Sequence, residues 1–138
     1  LRTLVLVKPD GVKRNLVGAC LTAFEEAGLR IAALKMLTMS RGTAQEFYRV
    51  HRGRPFFESL VAYMTSGPVV AAILEGEDAV RRTREVMGAT DPAEAAPGTL
   101  RARFGESLQC NTVHGSDGEE SVDHEAGVIF GSGGRPPA

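Results

Sequence analysis

Asn111-Thr112-Val113-His114-Gly115-Ser116-Asp117 places one imidazole among small and hydrogen-bonding side chains. It stands directly before a stretch that reads as a helix, whose first backbone N–H groups are free to meet an anion. A neutral imidazole is a competent nucleophile near pH 7, and the bond made by its other ring nitrogen decides which nitrogen is free. Glu125 and Ser116 are the residues best placed in sequence to give that support, and Gly115 leaves room for a bulky tetrahedral group. The chemistry suggested is phosphoryl transfer through His114. On spacing alone, a core or capping histidine fits equally well.

The other chemical candidates are fewer. Lys8 follows a strand and enters the turn Pro9-Asp10-Gly11, where it either reaches a site or sits in solvent; the segment is no Walker loop. His51 lies among Arg49, Arg52 and Arg54, a pattern that suits a phosphate-handling patch but is more often a solvated helix end, and His51 is read as the latter. His124, flanked by Asp123 and Glu125, reads as a surface position.

The chain has 138 residues, 43% hydrophobic and 24% charged, the size of one domain with a real core. A net charge of −1 gives no chain-wide attraction to nucleic acid or membrane. Cys20 and Cys110 have no metal-ligand spacing and read as free thiols of a reducing compartment. The start at Leu1 has no basic segment followed by a long apolar run, and nothing approaches the ~20 apolar residues of a membrane helix. A cytoplasmic protein is expected.

Positioning falls to elements read in order. Thr3 to Val7 is a buried strand. Asn15 caps a helix with Val17, Leu21, Phe24 and Ala27 on one face and Gly28 at its end. Leu29 to Met39 reads as a strand with Ile31, Ala33, Leu37 and Met39 on one face. Thr43 opens a capping box, with Glu46 as its acid, for a helix through Phe47 and Tyr48. Pro55 starts another over Phe56 to Thr65, completing a helical hairpin. Val69 to Leu74 is a central strand, and Asp78 caps a helix through Val86. Residues 88 to 110 form a long functional connection. A short strand at His114 and a last helix carrying Val122, Ala126, Ile129 and Phe130 follow, with Gly127 weakening the helix. The result is one domain over 1–130 and a flexible tail over 131–138.

The segment N-T-V-H-G-S-D closely resembles the active-site signature of nucleoside diphosphate kinases. V-K-P-D-G-V at 7–12, R-P-F-F-E at 54–58, S-G-P-V-V at 66–70, G-A-T-D-P at 88–92, P-G-T-L-R at 97–101 and S-x-x-x-E at 121–125 are similar to that family in the same order. The resemblance covers residues 2 to 130. It implies a single-domain ferredoxin-like α/β sandwich, an antiparallel sheet covered by helices with an added helical hairpin and long loop. It also implies ping-pong transfer of a γ-phosphoryl group from a nucleoside triphosphate to His114 and on to a nucleoside diphosphate.

By the same resemblance Lys8, Tyr48, Arg84, Thr90 and Arg101 meet the phosphates, Lys8 and Asn111 reach the ribose, and Phe56 stacks on the base. Mg²⁺ arrives with the nucleotide and takes no fixed protein ligand. The protein is expected to be a homo-oligomer, hexamer or tetramer, without membrane or nucleic-acid partners. Alternatives are a regulatory module that binds nucleotide without transferring anything, and an interaction protein using Arg49, Arg52, Arg54, Arg81 and Arg82. Departures from the family pattern are Gln109-Cys110, Ala102-Arg103 and Ala126-Gly127. They point to altered contacts in the long loop and a looser last helix.

Overall fold

A computed structural model describes residues 1–131. The tail expected over 131–138 therefore lies, except for Gly131, outside the described residues. Four strands, β1 (Arg2–Val7), β2 (Arg30–Leu37), β3 (Val69–Glu75) and β4 (Val113–Gly115), form one antiparallel sheet in the order β2-β3-β1-β4. Helices α1 (Pro9–Lys13), α2 (Val17–Glu26), α3 (Arg41–Phe47), α4 (Phe57–Met64), α5 (Ala79–Met87), α6 (Leu100–Phe104) and α7 (Glu119–Phe130) surround it. This is the α/β sandwich expected from the sequence.

Strand alternation builds two cores. Leu4 and Leu6 of β1, with Ala71 and Ile73 of β3, pack among Phe47, Val61, Met64, Ala126 and Ile129. Val5, Val7, Val70, Ala72 and Leu74 point the other way, against Phe24, Met87, Leu100 and Val113. Phe24 and Phe47 are almost wholly buried, and such a side chain contributes roughly 2–3 kcal/mol of transfer free energy. The β1–β3 pair is central because helices cover both of its faces. That explains its unbroken apolar sequence.

Several local expectations are corrected. The turn after Lys8 is a short helix, α1, with Pro9 at its first position. Asn15 does not cap α2: its backbone is left-handed, at φ 61°, and Leu16 holds the cap position. Gly28 does end that helix, donating its N–H to Glu25 at 2.9 Å with φ 87°. The cap of α3 is Ser40, which accepts from Thr43 N–H, so the helix begins three residues before the expected box. A bulge between Ile31 and Ala33 reverses the facing of β2, sending Ile31 to one core and Ala33 to the other. Phe56, not Pro55, precedes the first residue of α4. Asp78 stands at the start of α5 but is left-handed and caps nothing; its carboxylate pairs with Arg81 at 3.0 Å. The long connection holds a 3₁₀ turn at Pro92–Glu94 and α6, capped by Asp91 and Thr99 side chains respectively.

Helix α7 buries Val122, Ala126 and Ile129 as expected. Gly127 faces open space, since a Cβ added there meets nothing within 4 Å. It costs helix stability without serving close packing. Gly127→Ala is accordingly expected to stabilise the chain by about 1 kcal/mol, measured as a rise in the urea midpoint at unchanged slope.

Candidate active site

The site forms where β1 and β4 lie side by side. Leu6 pairs with His114 across the two strands, and just beyond the last rung Lys8 N–H donates to Thr112 O at 2.8 Å. The nucleophile candidate and the lysine therefore arrive on neighbouring strands. A cleft of about 610 Å³ opens there, well within the size range of small-molecule sites. Lys8, Tyr48, Phe56, Arg84, Thr90, Arg101, Asn111, His114 and Glu125 all line it. Ser116 is fully buried behind them.

His114 is held on one edge only. Its Nε2 is 2.8 Å from Glu125 Oε1, and the same oxygen accepts from Ser116 Oγ at 2.7 Å. A carboxylate can only accept, so Nε2 carries the hydrogen and Nδ1 keeps its lone pair. Phe47 and Tyr48 approach the ring edge-on, with centroids 5.2 and 5.8 Å away. Orientation is thus set by one charged bond and two aromatic walls. Burial pushes the Tyr48 phenol far above its ordinary range, aided by the nearby Glu125 charge, so Tyr48 is a hydroxyl donor rather than a phenolate.

Gly115 has a different role from the one expected. Its backbone borders the cleft, but a side chain would point toward α5, where a Cβ would meet Met87 Sδ at 2.8 Å. Its missing side chain admits α5, not a tetrahedral ligand.

Three cations converge on uncharged partners. Lys8 Nζ donates to Gln109 O at 2.7 Å and Asn111 Oδ1 at 2.8 Å. Arg101 donates to Gly88 O at 3.0 Å and Val113 O at 2.8 Å, and its buried Nε has no partner. Arg84 reaches Gly115 O at 3.4 Å. None of the three has a carboxylate within 4.0 Å among the described residues. Lys8 and Arg101 are buried, while Arg84 is exposed, and cations set at a cleft without acids suit an incoming anion. Burial lowers the Lys8 ammonium to about 8, partly offset by Asp10, and lowers Arg101 to about 10, with Arg84 adding repulsion.

Asn111 Nδ2 donates to Thr90 O at 2.9 Å, so this side chain ties the long connection to Lys8. Phe56 is 47% exposed and lies across the cleft mouth, its ring centroid 5.2 Å from that of His51. Leu108, 63% exposed, lines the same cleft.

The reading of His51 as a solvated helix end and of His124 as a surface residue is corrected. His51 stacks on Tyr48 with centroids 6.2 Å apart and lines the cleft. His124 donates to Glu46 O at 2.8 Å, joining α7 to α3. Its signal was placement on α7 one residue before Glu125, on a helix whose buried face was already known. Val50, Leu108 and Gln109 also line the cleft, and nothing in their residue types marked them. Asp117, within the signature but given no role, faces the cleft with its carboxyl held below the usual range by the Ser121 hydroxyl.

A family model described as nucleoside diphosphate kinase matches residues 1–133. A nucleoside diphosphate kinase of Nitrosococcus oceani is 54% identical over 131 residues, covering 95% of this chain and 92% of that protein. Among solved structures, nucleoside diphosphate kinase from Aquifex aeolicus superposes with a TM-score of 0.92 at 50% identity, over 94% of each chain. The enzyme from Halobacterium salinarum in complex with CDP gives 0.92 at 44% identity, over 96% of this chain and 88% of that one.

The lowered Lys8 fixes a pH dependence. The ammonium is charged below about 8 and loses its charge as the pH rises through that value, so phosphate attraction weakens on the alkaline side. Calorimetric titration with a nucleoside diphosphate is expected to show affinity falling, above pH 7 where the phosphates are already ionised, across roughly one pH unit on either side of that midpoint.

Proposed function

The chain belongs to the nucleoside diphosphate kinase family, and on that premise we propose that His114 carries the phosphoryl group between its substrates. It is a phosphotransferase acting on nucleoside triphosphates and diphosphates. The observation that carries the residue assignment is the bond that His114 Nε2–H donates to Glu125, which leaves Nδ1 as the free nitrogen in a cleft lined by three cations lacking acids. Nδ1 attacks the γ-phosphorus in line; an N–P bond forms as the P–O bond to the leaving diphosphate breaks. A second nucleoside diphosphate reverses these steps.

Each neighbour has a part. Phosphorylation at Nδ1 makes the ring cationic, and the Glu125 carboxylate at Nε2 stabilises that state, itself fixed by Ser116. Lys8, Arg84 and Arg101 balance the charge on the transferring group, the arginines as planar donors and the lysine as a point charge. Tyr48 and Thr90 border the phosphates, and Asn111 with Lys8 lies within reach of the sugar. Phe56 and Leu108 offer apolar surfaces to a base, and stacking on a π face accepts many bases.

Mg²⁺ would enter with the nucleotide. Among the described residues no three acidic, histidine or cysteine groups converge into a metal cluster of the protein's own, whereas the cleft offers the ionised Asp117 to a cation already chelated by phosphates. Bound with the nucleotide beside Asp117, Mg²⁺ would supply charge neutralisation to the phosphate oxygens.

The protein is taken to be a homo-oligomer, tetramer or hexamer, of one domain over residues 1–130. Leu34 and Met36, 55% and 61% exposed on the edge strand β2, support association. Two free thiols suit a cytoplasmic location, and no described helix is long and apolar enough to cross a membrane. Arg49 and Arg52 pair with Glu46, and Arg81 with Asp78 and Glu85. These acids offset part of the arginine charge, which weakens a nucleic-acid surface.

Incubation with γ-labelled ATP and Mg²⁺ is expected to leave acid-labile, base-stable label on the protein, which a second nucleoside diphosphate removes. An unlabelled wild type, or a His114→Ala variant that labels equally well, refutes the assignment. Phe56→Ala is expected to raise KM for all nucleotides by roughly tenfold, from ~1–3 kcal/mol of lost stacking, with kcat much less affected; steady-state kinetics on purine and pyrimidine substrates would show it.

A further inference from the structure

Beneath Lys8 lies a polar cluster that the transfer chemistry has not used. Asp10, on α1, accepts the Tyr63 O–H from α4 at one carboxylate oxygen. Tyr63 Oη accepts the Asp10 backbone N–H at 3.1 Å in return. The other carboxylate oxygen faces Thr112 Oγ1 at 3.4 Å, on the segment entering β4. Burial and the bond to Asp10 push the Tyr63 phenol well above its usual range, so it stays a donor. The same ring lies 5.6 Å from Lys8 Nζ.

Packing leaves this cluster little freedom. A Cβ at Gly11 would stand 2.8 Å from Val7 Cγ1 and 3.1 Å from Thr112 Cγ2, so α1 sits hard against β1 and Thr112. Thr112 is fully buried and left-handed, at φ 75°, an unusual conformation for a β-branched residue. Its carbonyl receives the Lys8 N–H.

Burial favours the neutral amine of a lysine, and both hydrogen-bond partners of the Lys8 ammonium are uncharged oxygens. The groups around it differ in what they contribute. Arg101 on α6 repels it, Tyr63 on α4 presents a neutral ring, and Cys110 before β4 attracts it only as a thiolate. Asp10 supplies the standing negative charge.

We propose that Asp10 is a positioning residue for Lys8, its carboxylate fixed by Tyr63 and Thr112 on the side of the Tyr63 ring so that its charge supports the ammonium that Gln109 and Asn111 hold in the cleft. This role rests on the phosphoryl-transfer reading of the site and adds the device that makes a buried lysine usable there. Asp10 needs no contact with substrate.

The decisive variant is Asp10→Asn, which keeps the shape and an acceptor for Tyr63 but removes the charge. In lysine-labelled protein, with Lys8 assigned by Lys8→Arg, the NMR titration midpoint of Lys8 should fall by on the order of one pH unit. The alkaline limb of kcat/KM should move down with it, and activity should recover at lower pH, which a merely structural defect would not allow. Asp10→Glu, restoring charge, should return the limb toward wild type. If Asp10→Asn does not fold, Tyr63→Phe carries the test: the carboxylate stays but loses its fixation, and the Lys8 midpoint should fall by a smaller amount. An unmoved Lys8 midpoint in a wild-type-like fold overturns the role of Asp10. An unlabelled wild type overturns the catalytic reading instead, because the Lys8 titration is followed without turnover.

Discussion

Pairing between β1 and β4 is the constraint on which the site depends. Strand β4 is three residues long and, among the described residues, makes its rungs only to β1, so its register comes from that neighbour, while α5 and Arg101 hold its other side. Two further bonds lengthen the seam, Lys8 N–H to Thr112 O and Ser116 N–H to Leu4 O. Because β1 is packed on both faces, it is a rigid reference, and the His114 ring inherits that rigidity. Precision of this kind is what a transferring group needs, since small misplacement of reacting atoms costs rate steeply.

Concentrating cations in the cleft works against stability. Lys8 and Arg101 are each only 6% exposed, and taking a charge out of water without an acid partner is unfavourable. Backbone carbonyls reduce the penalty without cancelling the charge: Gln109, Gly88 and Val113 each turn one toward a cation. A carboxylate in their place would hold the cations more firmly and compete with phosphate. The fold therefore keeps positive potential available, oriented before any ligand arrives.

The sequence made some of this legible and hid the rest for identifiable reasons. Strands Thr3 to Val7 and Val69 to Leu74 announced themselves through unbroken apolar runs, and the structure places both at the centre. Helix caps were poorly read at Asn15, Thr43 and Asp78, because a capping residue type says nothing of its own backbone angle, and Asn15 and Asp78 are left-handed. The face of β2 was misread because a one-residue bulge leaves no mark on composition. Ten residues of the proposed site were named from the signature segments and their kin, and the cleft gathers all but Ser116 around one space, with Ser116 behind Glu125. His51 and His124 were missed because their neighbours in sequence are charged while their neighbours in space are not: Phe56 and Tyr48 for one, a backbone carbonyl for the other.

The density of the signature itself follows from two demands on one short segment. Asn111, His114 and Asp117 line the cleft, while Val113 and Gly115 border it too but direct their side-chain positions to the second core and α5. Thr112 serves neither face in the ordinary way; its left-handed backbone, which costs roughly 1–3 kcal/mol, turns the chain from loop into strand and presents a carbonyl to Lys8. Ser116 closes the strand against Leu4 through its backbone and braces Glu125 through its hydroxyl. Positions 111 to 116 thus answer to both the cleft and the sheet. A reading that assigned the whole segment to catalysis would mistake Gly115 for a gap made for phosphate, when the contact that forbids a side chain there is Met87.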